Sequence, residues 1–490
     1  MGEIEFSPKD KLKEGVRKLA QAVGSTMGPN GATVIIPDKD KFNSYKITKD
    51  GVSVAREIRF KDPIENIGAK LIKEVAELQV QQAGDGTTTA IVLASAFIEN
   101  LFEFEYNDIE KAFDEIIPKV LKQLKANSKE LKKENVKYVA TISANNDSKI
   151  GDLIQKAYNF SNLVKAEKGI SQEDKLDLVD GMKLLSTYFS KNFITNKEKA
   201  ECNLETPNVL LIDGKLEDLK PYTGIIETKA TNGQSLVIVT EHISDKELRK
   251  LEAHVLSKNI KLCVIKTPGF GQFRKDILRD LSDFTGASVI NNPKGDVSIS
   301  ALGKLKSIKV TNDSALLVKD DSINVTELIE SLKILSKNLT SYDKEQVDKR
   351  IEQLTGKVAV IYVGGGSELE RDERFDRYDD AIKAVACALE EGIVEGGGYA
   401  LADVQKIIYE DFYQYKNNSN IINNLLLVSL VKPWNTIVNN GYINVKSNTM
   451  FEQNIIDPLK VTRCALENAV SVAKTILSTK TVVLNEQEWN

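Results

Sequence analysis

The chain has 490 residues, of which 41% are hydrophobic and 28% charged, an ordinary globular composition on a chain too long for one compact core; two to four domains are expected. Its net charge of −5 lacks the basic surplus of a nucleic-acid binder, and no apolar run reaches the length of a membrane span. Two histidines (His242, His254) and four scattered cysteines (Cys202, Cys263, Cys387, Cys464) leave little for His-centred catalysis, a zinc cluster or a disulfide framework.

The N-terminal stretch "MGEIEFSPKDKLKEG" mixes charges of both signs and has no apolar signal core, and Glu3 and Glu5 fit poorly with a transit peptide. Phe6 in place of Ser or Thr argues against myristoylation at Gly2. From residue 7 to 135 helical periodicity dominates: Leu12, Val16, Leu19 and Val23 share one helix face before the turn cluster "GPNG". "ATVIIPD" and "YKITKDG" read as a hairpin, after which helices resume. The middle of the chain alternates short apolar runs, "NVLLID", "SLVIVTE", "KLCVIKTPGFG" and "GASVINN", with helical stretches, an α/β pattern. Long charged helices return from "INVTELIESLKILSKN" onward, and "STKTVVLNEQEWN" closes as a lone strand pattern able to pair with the N-terminal hairpin. An α/β module inserted into a helical one accounts for this order; three consecutive domains are the alternative on periodicity alone.

The most specific short motif is "GDGTTTA", Gly84 to Ala90, between two helical runs. Helix-start amides lack intrahelical partners and face the positive end of the dipole, so they attract anions. Glycines allow close backbone approach, threonine hydroxyls donate to phosphate oxygens, and Asp85 suits the magnesium that accompanies a nucleotide. An ordinary N-cap by Asp or Thr is the competing explanation. The chain has no G-x-x-x-x-G-K-[ST] loop, so a nucleotide site must be built another way. "TMGPNG", "TKDG", "YDDA", "EGGGYAL" and "IIDPLKVTR" are candidate pieces, each weak alone.

Taken in order and spacing, "ITKDGVSVAREI", "AGDGTTTA", "TISAN", "KTPGFG", "EEGIVEGGGYAL" and "DPLKVTR" resemble the group I (GroEL-like) chaperonins, from about Lys11 to Val483. The resemblance implies a multidomain α+β fold. A mostly helical equatorial ATPase domain comes from both chain ends (1–126 and 391–490), a small intermediate hinge domain from 127–179 and 359–390, and an inserted α/β apical domain from 180–358. It implies an ATPase using ATP and Mg2+, with room for K+. Thr26, Met27, Gly28 and Pro29 would line the nucleotide, with Lys49 and Asp50 near its terminal phosphate. Asp85 would hold the metal, Gly86, Thr87, Thr88 and Thr89 would wrap the phosphates, and Gly397 and Asp457 would meet the base and ribose. Asp380 would orient the attacking water when the hinge closes, with Asp50 as the second catalytic carboxylate.

The resemblance also implies partners: non-native polypeptide clients, a homo-oligomeric ring of seven subunits, and a co-chaperonin lid, with no nucleic acid or membrane. It implies a cytoplasmic location, in a bacterium or, for a virus-encoded protein, its host. Clients would be held by Tyr188, Phe193, Ile226, Leu248 and Leu251, although Leu248, Leu251 and Val255 at helical spacing equally describe a core stripe. The sequence departs from the family pattern in several places. Asn192, Thr223 and Glu252 dilute the client groove, Asn435 replaces a basic residue near the contact between rings, and the segment from Val445 to Asp457 is short on the adenine side. Two functions follow: an ATP-driven folding chaperonin, or a chaperonin-fold ring scaffold with little folding activity.

Overall fold

The computed structural model describes residues 3–6, 9–38, 44–197, 199–257, 260–291, 295–337, 347, 350–351, 354, 356–415, 421–442 and 449–484. The chain forms two compact units: Met1–Asn159 with Lys165–Leu176 and Ile361–Asn490, and Phe160–Val164 with Asp177–Val360.

The first unit is helical and drawn from both ends of the chain. The helix Lys9–Gly24 buries the predicted face, Leu12, Val16, Leu19 and Val23. It packs against Pro63–Gln82 and Thr87–Leu101, and the last long helix, Leu459–Ser478, lies on both of these. Ala90, Ala94, Ala465, Ala469 and Ala473 are small enough to let these helices approach within one continuous core. Each fully buried Leu, Ile or Phe there, such as Leu19, Ile91 and Phe97, stabilises the fold by roughly 1.5–3 kcal/mol. The predicted hairpin is present, Val34–Asp38 against Ser44–Thr48 with Ile35 opposite Ile47. The strand Thr481–Leu484 pairs elsewhere than the sequence suggests: it runs antiparallel to Glu3–Phe6, not to the hairpin. Two glutamates in "EIEF" make that first strand look like part of a charged run, although the alternation of a one-sided strand is there.

The second unit is the α/β module. Its sheet runs in the order Leu262–Lys266, Leu236–Thr240, Asn208–Ile212, Gly303–Val310, Ala315–Lys319 and Lys175–Leu184, with Val289–Ile290 also on Asn208–Ile212. The strands read from "NVLLID", "SLVIVTE", "KLCVIKT" and "GASVINN" pair in parallel, whereas the following pair is antiparallel. Parallel pairing demands crossovers, here provided by Thr223–Thr231, Asp245–Leu256 and Gly271–Thr285. All four cysteines are buried free thiols. Much of the charged stretch after Lys337, the shortened segment's start at 443–448, and the terminal "NEQEWN" lie outside the described residues.

Candidate functional site

A cavity of about 300 Å³ opens in the first unit. Its wall includes Thr26, Met27, Gly28, Pro29, Lys49, Asp50, Asp85, Gly86, Thr87, Thr88, Thr89, Asp380, Gly397 and Asp457, residues from both ends of the chain and from the long helix Glu368–Glu391.

The helix Thr87–Leu101 starts on Gly86 at φ 80°, with no side-chain cap hydrogen bond, so neither Asp85 nor a threonine is spent as the N-cap. A side chain at 86 would be strained at that φ, and its Cβ would stand 2.5 Å from Val461 Cγ1. The first amides of this helix therefore have no side-chain cap, and Gly86, Thr87, Thr88 and Thr89 border the cavity. Gln79 holds the turn from below, donating to the carbonyls of Asp85 (2.7 Å) and Val461 (3.1 Å).

Asp85 is enclosed by protein except on its cavity side. Burial raises its pKa, opposed by hydrogen bonds from Ser143 Oγ (2.7 Å) and the Gly86 amide and reinforced by the nearby charge of Asp50. An enclosed carboxylate whose hydrogen-bond donors are neutral suits a hard divalent cation such as Mg2+, which takes one or two carboxylates together with phosphate oxygens and water. Asp50 serves differently. Its carboxylate caps the helix Gly51–Glu57, accepting from the amides of Val52 (3.2 Å) and Ser53 (2.9 Å) and from Ser53 Oγ (2.6 Å). It lines the cavity while fixing that helix start.

The helix Glu368–Glu391 presents Glu373, Asp376, Arg377 and Asp380 to the cavity at helical spacing. Arg377 is held by Asp147 (3.1 Å) and Glu373 (2.7 Å). Across the wall, Asp457 accepts from the Gly397 amide at 2.9 Å. Burial and the proximity of Asp85 push Asp457 up to about 7, against hydrogen bonds from the amides of Gly397 and Gly398.

The remaining wall is apolar and aromatic, with Met27, Ile437, Met450, Ile455, Trp434 and Tyr442. Sequence reasoning assigned no role to Ser143, although it lies in the quoted "TISAN", nor to Arg377, Trp434 or Tyr442. The spacing from Glu373 to Asp380 was a usable signal; an isolated Trp in an amphipathic helix was not.

A model of the TCP-1/cpn60 chaperonin family matches residues 19–448. The chain belongs to that family. Two crystal forms of the chaperonin gp146 from the bacteriophage EL 2 (Pseudomonas aeruginosa), both in the presence of ATP-BeFx, are similar in fold. Each is 22% identical, with 99% of both chains covered, at TM-scores of 0.66 and 0.62. The multidomain α+β chaperonin architecture expected from the sequence thus extends over almost the whole chain.

The second unit of this chaperonin treats the expected client-binding residues differently. Phe193, Leu251, Ile226 and Tyr188 are 1%, 0%, 3% and 8% exposed and belong to its core, and Leu248 is half-buried against it. Tyr188 also donates to the Ala200 carbonyl at 3.2 Å. The core stripe is the better description of Leu251 and its neighbours; the expectation of an exposed wall at these four side chains is corrected. What the helices Thr223–Thr231 and Asp245–Leu256 expose is mainly polar, including Thr223, Glu227, Lys246, Arg249 and Lys250. Glu252 accepts a hydrogen bond from Ser190 Oγ, so the departure at 252 is a paired carboxylate. Among the described residues no single helix is long and apolar enough to cross a membrane.

Proposed function

We propose that this chaperonin is an ATPase that couples hydrolysis to protein folding in the cytoplasm. Homo-oligomeric rings, seven subunits each, bind non-native polypeptides and release them into a cavity on Mg-ATP binding and hydrolysis. In this reading 1–126 and 391–490 form the equatorial domain, 127–179 and 359–390 the hinge, and 180–358 the apical domain. One observation carries it: Asp380, the uncapped helix start at Gly86 and the loop Thr26–Pro29 border one cavity although they are far apart in sequence.

The chemistry asked of these residues is positioning and charge stabilisation, which phosphoryl transfer needs more than covalent catalysis. The amides and hydroxyls at Gly86–Thr89 donate to phosphate oxygens, and Lys49 adds a cation at the terminal phosphate. Asp85, oriented by Ser143, would hold Mg2+, which neutralises phosphate charge. Asp380 orients the attacking water and accepts its proton, and Asp50 keeps the neighbouring helix start in place. Gly397 and Asp457 meet the ribose and base. Neutral donors at three threonines do the work that a lysine does in Walker-type loops.

Steady-state hydrolysis tests the reading, with nucleotide binding measured separately. Asp380→Ala should lower kcat by at least about a hundredfold while leaving ATP affinity within a few-fold. An unmutated protein without hydrolysis above background, or a mutant as active as it, rejects the assignment.

A further inference from the structure

The apolar wall of the cavity holds an aromatic group that the proposed ATP site leaves unexplained. Trp434 stands edge-on to Tyr399 (centroids 5.3 Å, 76° between planes) and to Tyr442 (6.1 Å, 77°), and both Trp434 and Tyr442 line the cavity. The group is fixed rather than loosely placed. Gly398, at φ 75°, lies so close that a Cβ would come within 2.9 Å of the Trp434 amide nitrogen. Asn440 Nδ2 ties the turn beyond the helix Lys432–Asn439 to the carbonyls of Gly24 (2.9 Å) and Met27 (2.8 Å).

The donors near this wall are already committed. The amides of Thr26 and Met27 bond to Val23 and Gly24, those of Gly441 and Tyr442 to Val438 and Ile437, and that of Ile455 to Met450. Thr26 Oγ1 donates to Val23 O at 2.8 Å, and Asn30 Nδ2 to Gly441 O at 3.0 Å. Beyond these committed donors, the wall offers the rings of Trp434 and Tyr442 and the aliphatic side chains of Met27, Ile437 and Ile455, with acceptors confined to backbone carbonyls and the Asp457 carboxylate. Hydrogen-bonding sites reject a base that cannot match them, whereas a π-face accepts any base.

We propose that this chaperonin grips the base of its nucleotide chiefly by stacking on Trp434 and Tyr442, with Asp457 and Gly397 serving the ribose side, and therefore takes guanine as well as adenine nucleoside triphosphates. The proposal rests on the nucleotide reading of the cavity and adds its specificity.

The full chain carrying Trp489→Phe has Trp434 as its single tryptophan. Titrations with Mg-ATP, Mg-GTP and Mg-tripolyphosphate would be followed by calorimetry and by tryptophan emission. The proposal expects ATP and GTP affinities within about threefold, with both nucleotides changing Trp434 emission. Tripolyphosphate, which lacks a base, should bind and leave the emission unchanged. Tyr442→Ala should weaken ATP and GTP alike by about tenfold and leave tripolyphosphate binding intact, which also shows that the variant is folded. GTP binding more than about thirtyfold weaker than ATP would mean that the edge is read, overturning the stacking proposal and leaving the ATP site standing. Emission unaffected by either bound nucleotide, or unchanged affinity in Tyr442→Ala, would overturn it equally. Failure of all three ligands to bind would remove the nucleotide reading and the proposal with it.

Discussion

The cavity in the first unit and the outer face of the helices Thr223–Thr231 and Asp245–Leu256 in the second are built from different materials. The cavity relies on backbone: an uncapped helix start, a glycine at φ 80° wedged against Val461, and carboxylates fixed by amides. The helix face relies on side chains alone. A polar residue at an exposed position there, such as Thr223, disturbs no hydrogen-bond ladder and creates no cavity, whereas a side chain at Gly86 is strained at φ 80° and crowds the side chain of Val461. One kind of surface can drift residue by residue at little cost to stability; the other is kept or lost as a whole.

That contrast can be broken by experiment. The largest effect is expected at Asp85. Asp85→Ala should weaken Mg2+-dependent nucleotide binding by at least about a hundredfold with the fold unchanged by circular dichroism; equal magnesium dependence in mutant and wild type would remove the metal role. Next comes Leu251, which separates core from groove. As a core residue it should cost ~2–5 kcal/mol of stability when changed to Ala, measured by denaturant unfolding. A loss below about 0.5 kcal/mol together with weaker capture of a denatured client would return it to the groove.

The smallest effect sharpens the cavity side. Asp457 has its folded pKa raised to about 7, above its value in the unfolded chain, so the folded state holds the proton more tightly. That contribution is full below the ordinary carboxylate pKa of 3.8, declines as pH rises above it, and is gone once pH has passed about 7. Asp457→Asn cannot ionise, so the Tm of the mutant relative to wild type should rise between pH 6 and pH 8, by about 2–4 °C. A difference that does not change with pH would mean that Asp457 is already ionised at pH 6.

Much of this was legible in the sequence because the relevant physics is local. The face through Leu12, Val16, Leu19 and Val23, the hairpin, and the four parallel strands each carry their period in a few residues. The pieces of the cavity were legible as motifs because glycine and Asp-Gly patterns follow from backbone demands. The pairing of Thr481–Leu484 with Glu3–Phe6 was not, since a four-residue strand has little pattern and its partner is hidden among charges. Burial at Tyr188 and Phe193 was not legible either: an apolar stripe does not say whether it meets a core or an opening. Trp434 and Tyr442 escaped notice because they come to line one cavity with Met27 only through the packing of distant segments.

The helix Leu459–Ser478, which completes the core around Thr87–Leu101, also sets a timetable for synthesis. On the ribosome the strands from Asn208 to Val310 emerge with their crossover helices and can pair at once, while Lys9–Gly24 and Thr87–Leu101 wait for some 350 further residues to be added. At ordinary elongation rates the apolar flank of Thr87–Leu101 stays uncovered for tens of seconds. A protein of the chaperonin family thus spends its own birth as a chain in need of shelter.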